Sequence, residues 1–209
     1  MSETVHDLRF EHPSRWVIYG PSGSGKSTFI NYLLKSIDDF FKVKFDRIIY
    51  CCNYFNSINK HLEKILEINN DFITSLDLSK NNLLVIDDHM QQAINNELVS
   101  DLFTKLSHYL NTTVIFITQN LFPKSKYMRD ISLNTNYLVL MKNNNEKLQI
   151  RLLANRIEGH NNSYKLTEAY NEATKKPFSH LLIDMCQTTP DILKYRSDIF
   201  NELYQITYI

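Results

Sequence analysis

The run Gly20-Pro21-Ser22-Gly23-Ser24-Gly25-Lys26-Ser27-Thr28 satisfies the pattern G-x-x-x-x-G-K-[ST] at every fixed position. Glycines at 20, 23 and 25 permit positive φ and close backbone approach, so successive N–H groups can converge on phosphate oxygens. A helix starting near Gly25 would add its positive end at the same point. Lys26 is placed to meet β- and γ-phosphates as a point charge, and the Ser27 hydroxyl is the kind of oxygen ligand that Mg²⁺ takes. Average usage would put roughly 15 glycines in a chain of this length. The sequence has 4, and three of them lie in this loop. Glycine is concentrated where a phosphate cradle needs it.

Two more groups carry chemistry. Leu83-Leu84-Val85-Ile86 is a continuous apolar run ending in Asp87-Asp88, the pattern of a buried strand that delivers an acid to the carboxyl edge of a sheet. Asp87 is the candidate Mg²⁺ ligand opposite Ser27. Asp88 is the candidate to orient or deprotonate an attacking water. Thr113-Val114-Ile115-Phe116-Ile117 is a second such run, closed by Thr118-Gln119-Asn120. Gln119 is the candidate polar sensor of the γ-phosphate or the water, and a capping or turn role for Thr118 to Asn120 is compatible with that.

Elements that could position these groups follow from periodicity. Arg15-Trp16-Val17-Ile18-Tyr19 reads as the strand before the loop, and Phe29, Ile30, Leu33, Leu34, Ile37, Phe40 and Phe41 recur at helical spacing after it. Further strands are expected at 45–52, 137–141 and 180–184, with 195–200 as an edge hairpin. Leu62, Ile65, Leu66 and Ile68 suggest a short helix, and helices are also expected over 98–110, 148–157 and 163–175. Phe122 to Asp130 reads as a loop with Lys124, Lys126 and Arg129, equally consistent with a solvated surface and with contacts to DNA phosphates. Alternating strands and helices imply an α/β doubly wound sheet. The expected fold class is a RecA-like P-loop NTPase, mainly parallel, with an additional strand between the P-loop strand and the Asp87 strand.

Composition bounds the rest. The chain has 209 residues, 43% hydrophobic and 22% charged, with 23 basic against 23 acidic side chains. One domain over 1–209 is expected: a lead-in over 1–14, a nucleotide-binding core over 15–142, and C-terminal helices and edge strands over 143–209. Zero formal charge gives no global footprint for nucleic acid, so any DNA contact must be local. Cys51, Cys52 and Cys186 read as reduced residues, and the 7 scattered histidines do not suggest a zinc site. No run approaches the length of a membrane span.

The segments Tyr19 to Thr28, Leu84 to Asp88 and Ile117-Thr118-Gln119-Asn120-Leu121-Phe122 resemble the viral genome-packaging ATPases of the FtsK/HerA superfamily, as found in poxviruses, virophages and Polinton or adintovirus elements. Arg129-Asp130-Ile131-Ser132-Leu133-Asn134, Gln149-Ile150 and Pro177 to Asp184 agree with the same family. The resemblance implies ATP and Mg²⁺ as cofactors, a homo-oligomeric ring of five or six subunits, double-stranded DNA as the translocated partner, and a capsid or vertex protein. It implies no membrane, and a soluble protein of an infected or element-bearing cell or of the virion. Where the family often carries Arg-Asp before Gln-Ile, this chain has Asn145-Glu146. The resemblance therefore moves the trans-acting arginine to Arg129, with Arg151 and Arg156 as alternatives. A small P-loop kinase and a nucleotide-gated capsid-assembly module are the competing functions. The kinase would need an arginine-rich lid and an acceptor pocket that the sequence does not display.

Overall fold

Strands covered on both faces have no reason to alternate apolar with polar residues, and the longest apolar runs of this chain become the centre of one sheet. The computed structural model describes residues 6–51, 66–68, 79–87, 97–121, 126–145, 147–201 and 204–209. Its strands are β1 (Arg15–Tyr19), β2 (Arg47–Cys51), β3 (Leu66–Ile68), β4 (Asn82–Asp87), β5 (Thr112–Thr118), β6 (Tyr137–Met141), β7 (His180–Asp184), β8 (Tyr195–Ser197) and β9 (Ile206–Tyr208). They form one sheet in the order β3-β2-β4-β5-β1-β6-β7-β8-β9. Pairing is parallel from β3 through β6 and antiparallel from β6 to β9. Every residue of β4 and β5 is buried. Because β5 lies between β1 and β4, the expected additional strand is present.

Helices cover both faces. On one, α1 (Lys26–Lys35) and α2 (Ile37–Phe40) bury Phe29, Ile30, Leu33, Leu34 and Ile37 against Trp16, Ile18, Ile48, Val85 and Ile115. Spacings of three and four put those residues on one stripe, each burial contributing about 1.5–3 kcal/mol. On the other face lie α3 (97–109, with Leu102–Leu106 π-helical), α4 (Lys126–Leu133), α5 (Lys147–Glu158) and α6 (Ser163–Ala173). Their apolar residues meet Val17, Tyr19, Leu84, Ile86 and Leu140. Among the described residues no helix is long and apolar enough to cross a membrane.

Four expectations change. The helix suggested by Leu62 to Ile68 is a strand where it is described: Leu66–Ile68 pairs in parallel with Ile48–Tyr50, because the open edge of β2 offers a ladder that three residues alone cannot make as a helix. Part of the loop expected at 122–130 is helix α4, whose Met128 and Ile131 bury a turn apart; residues 122–125, including Lys124, lie outside the described residues. The lead-in is anchored, since Phe10 is 1% exposed and packs edge-on against Trp16 and Tyr137. The edge hairpin at 195–200 gains a partner in β9.

Candidate active site

The cradle stands where β1 hands the chain to α1. Gly20 N–H donates to Thr118 O of the neighbouring β5 at 3.2 Å, and Ser24 N–H donates to Pro21 O at 3.2 Å. Gly23 has φ +73° and Gly25 φ +100°, the left-handed region that favours glycine. Gly20 is needed for a different reason. A Cβ there would lie 2.5 Å from Ser24 Oγ and 2.6 Å from Met141 Cβ, so the loop can pass β6 only without one.

The three sequence signals meet in one cleft of about 270 Å³. Its walls are Ser22, Gly23, Gly25, Lys26, Ser27, Thr28, Asp87, Ile117, Gln119 and Phe178. Lys26 Nζ donates to Gly20 O at 2.6 Å and to Pro21 O at 2.9 Å, holding the ammonium over the loop. Asp87, 9% exposed, ends β4 and accepts a hydrogen bond from Tyr50 Oη at 3.3 Å. The side chains of Ser27 and Asp87 give hard oxygen donors to the same cleft, a set that fits Mg²⁺ and would leave further positions to phosphate and water. Thr118 Oγ1 donates to Asn120 O at 3.1 Å and accepts from Asn120 N–H at 3.2 Å. The turn role thus falls to Thr118 and Asn120, and Gln119 lines the cleft.

Not every expected residue is here. Asp88 follows directly on β4 but lies outside the described residues. Arg129 is exposed on α4, and Arg151 and Arg156 are exposed on α5; none of the three lines the cleft. Lys126 opens α4 rather than a loop.

The structure adds residues that the sequence did not single out. Asn143, 6% exposed, donates from Nδ2 to Tyr19 Oη at 2.9 Å, while its N–H donates to Tyr170 Oη at 2.8 Å. Tyr170 Oη in turn donates to Met141 O at 3.1 Å, and burial raises its pKa. This ties the segment after β6 to the strand before the phosphate loop. Asn143 sits in an asparagine run that composition marks only as a loop, and Tyr50 looks like any strand aromatic. Neither had a sequence signal beyond that. Phe178 had a faint one in Pro177-Phe178.

Comparison with known proteins bears on the family and the fold of the chain. A family model described as RNA helicase matches residues 16–148, which include the loop, Asp87 and Gln119. No curated protein matches the chain. The likeness to viral genome-packaging ATPases extends from motifs to solved structures. The DNA-packaging ATPase B204 from Sulfolobus turreted icosahedral virus is 15% identical, with a TM-score of 0.55 over 83% of this chain and 93% of that one. The genome packaging NTPase B204 from Sulfolobus turreted icosahedral virus 2 in complex with AMPPCP is 14% identical, with a TM-score of 0.55 over 85% and 95%. The same NTPase in complex with ATP-gammaS is 15% identical, with a TM-score of 0.53 over 84% and 94%. At these identities the likeness is one of fold.

Proposed function

The chain belongs to the RNA helicase family and has a P-loop NTPase fold, and from that premise we propose that it is a Mg²⁺-dependent ATPase that translocates double-stranded DNA into a viral capsid. The observation that carries this reading is the single cleft joining the phosphate loop, Asp87 and Gln119. A phosphate tail laid on the loop meets backbone N–H groups and the positive end of α1. Lys26 exchanges loop carbonyls for phosphate oxygens. Ser27 and Asp87 would hold Mg²⁺, which when bound supplies charge for the β- and γ-phosphates. Gln119 orients the water whose oxygen attacks the γ-phosphorus in line, breaking the β–γ anhydride. Asp88, one position beyond Asp87, is the candidate to take its proton. The preorganised dipoles and the lysine stabilise the charge as the bond breaks.

A ring of five or six copies fits a chain with zero net charge, because two or three local cations per subunit, such as Lys124 and Lys126, would sum around a DNA channel. Arg129, exposed on α4 and not among the residues lining its own cleft, is the proposed trans-acting arginine. The capsid vertex would be the protein partner, and the setting an infected cell or the virion. The shared fold with a protein named as a DNA-packaging ATPase supports this reading. Match to the RNA helicase model favours a second reading, ATP-driven unwinding of duplex RNA.

Asp88→Asn tests the hydrolytic step. Turnover should fall at least a hundredfold, the scale of general-base catalysis, while ATP binding stays within twofold. Unchanged turnover would leave a nucleotide-gated binding module instead. Reversing the charges of Lys124 and Lys126 should abolish stimulation of the ATPase by duplex DNA, with ATP binding retained; intact stimulation would remove these two from the DNA channel.

A further inference from the structure

On the far side of the phosphate loop from Asp87 and Gln119 lies a second cleft of about 300 Å³. Pro21 to Ser24 form its floor, the segment 142–145 after β6 one wall, and Pro177 and Phe178 before β7 the other. Phe178 is the only described residue besides those of the loop itself to line both clefts. Phe178 is 67% exposed, an open placement for a large apolar side chain. Its backbone is at φ +61°, a region in which a bulky side chain is a genuine outlier and which tends to persist where function requires it.

The strain is imposed by a built turn. Lys142 N–H donates to Ser179 O at 3.1 Å, Lys142 Nζ donates to Lys175 O at 2.8 Å, and Ser179 Oγ donates to Lys176 O at 2.6 Å. These bonds fix the segment before β7 against the end of β6. Phe178 Cβ and Cδ1 consequently stand 3.3 and 3.4 Å from where a Cβ of Gly25 would be, with the ring at the edge of the phosphate loop.

Sheet order sets the direction of a bound nucleotide. Asp87 and Gln119 lie on the β4 and β5 side of β1, so with the γ-phosphate at that end a nucleotide laid along the loop would run towards the β6 and β7 side. Given the reading that the loop binds a nucleoside triphosphate, on which this inference rests, we propose that Phe178 is the stacking platform for the nucleotide base and that the 142–145 segment forms the polar edge of the base pocket. Stacking needs a flat aromatic face open to solvent, which Phe178 presents. Asn144 and Asn145 are exposed on the opposite wall, and their amides offer the adjacent donor and acceptor that a purine edge requires. Asn143, held by Tyr19 and Tyr170, fixes that wall relative to the loop.

Affinities of wild type, Phe178→Ala, Phe178→Trp and Phe178→Gly for MgATP and for inorganic tripolyphosphate, measured by calorimetry on the full chain, test this. Base stacking on an aromatic side chain corresponds to roughly a tenfold change in affinity. Phe178→Ala should weaken MgATP about tenfold and leave tripolyphosphate within twofold, and Phe178→Trp should restore MgATP. Phe178→Gly relieves the left-handed backbone, so it should match or exceed wild-type thermal stability and still lose MgATP affinity. Unchanged MgATP affinity in both Ala and Gly variants would overturn the proposal. So would equal weakening of both ligands, which would make Phe178 a support of the loop, or loss of MgATP affinity only in Tyr32→Ala, Tyr32 being an aromatic exposed on α1, which would seat the base there. A wild-type chain that binds tripolyphosphate and MgATP equally would overturn the base site only; one that binds neither would overturn the nucleotide reading with it.

Discussion

Tyr50→Phe removes the hydrogen bond that a buried strand residue gives to the metal-ligand candidate. Tyr50 Oη stands 3.3 Å from Asp87 Oδ2, and the ring is 1% exposed. A hydrogen bond to a carboxylate contributes about 1.5–3 kcal/mol, and 3.3 Å is beyond the usual O–H···O range. The lower end, about 1.5 kcal/mol, corresponds to slightly more than tenfold. Phenylalanine keeps the ring in place, so a loss of that size would move the melting temperature by only about 3–6 °C in a chain of this length. Asp87 without the bond is less well aimed at the cleft. Phosphate release titrated with Mg²⁺ should therefore show half-saturation raised about tenfold, with ATP binding in the absence of Mg²⁺ unchanged. Superimposable Mg²⁺ titrations for Tyr50→Phe and wild type would refute the positioning role, whatever the melting temperature did.

Three other perturbations probe the frame around the site. Gly20→Ala puts a methyl 2.6 Å from Met141 Cβ; overpacking of about 1–3 kcal/mol and a displaced loop should cost more than tenfold in ATP affinity, read by calorimetry beside a melting curve. Arg196 and Asp184 form a buried ion pair at 3.0 Å, so Arg196→Met should destabilise by about 3–5 kcal/mol through the stranded carboxylate, with much of the loss recovered in Arg196→Met/Asp184→Leu, as denaturant unfolding would show. His180 contacts the rings of Phe29 and Phe200 at 4.8 and 5.9 Å, and burial lowers its pKa from 6.5 to about 4. The unfolded chain then binds a proton that the folded chain refuses, so this residue's contribution, on the order of 3 kcal/mol, is present above pH 6.5 and lost as pH falls towards 4. His180→Phe should flatten the pH dependence of unfolding over that window.

Much of the site was legible because phosphate binding uses backbone, and backbone geometry leaves its mark in glycine positions. Gly23 and Gly25 take left-handed φ as the motif requires, and the buried runs at β4 and β5 carry Asp87 and Gln119 to the same edge. What escaped depends on long-range contacts. Leu66–Ile68 is a strand only because β2 has an open edge to receive it. Met128 and Ile131 form a helix only because the sheet face beneath α4 is apolar, while the lysines around them read as loop. The bond from Tyr50 to Asp87 joins residues 37 positions apart through the register of β2 with β4, which no local pattern encodes. Phe178 is exposed, so burial periodicity never marks it, and its left-handed backbone shows only in coordinates.

If ATP hydrolysis in this cleft drives movement along duplex DNA, the moving protein should displace the third strand of a linear DNA triplex. Wild-type chain with MgATP should strip the triplex-forming strand, whereas AMPPCP in place of ATP, or Lys26→Ala, should leave it bound. ATP hydrolysis that proceeds while the triplex stays intact, or that unwinds duplex RNA instead, would contradict translocation along DNA.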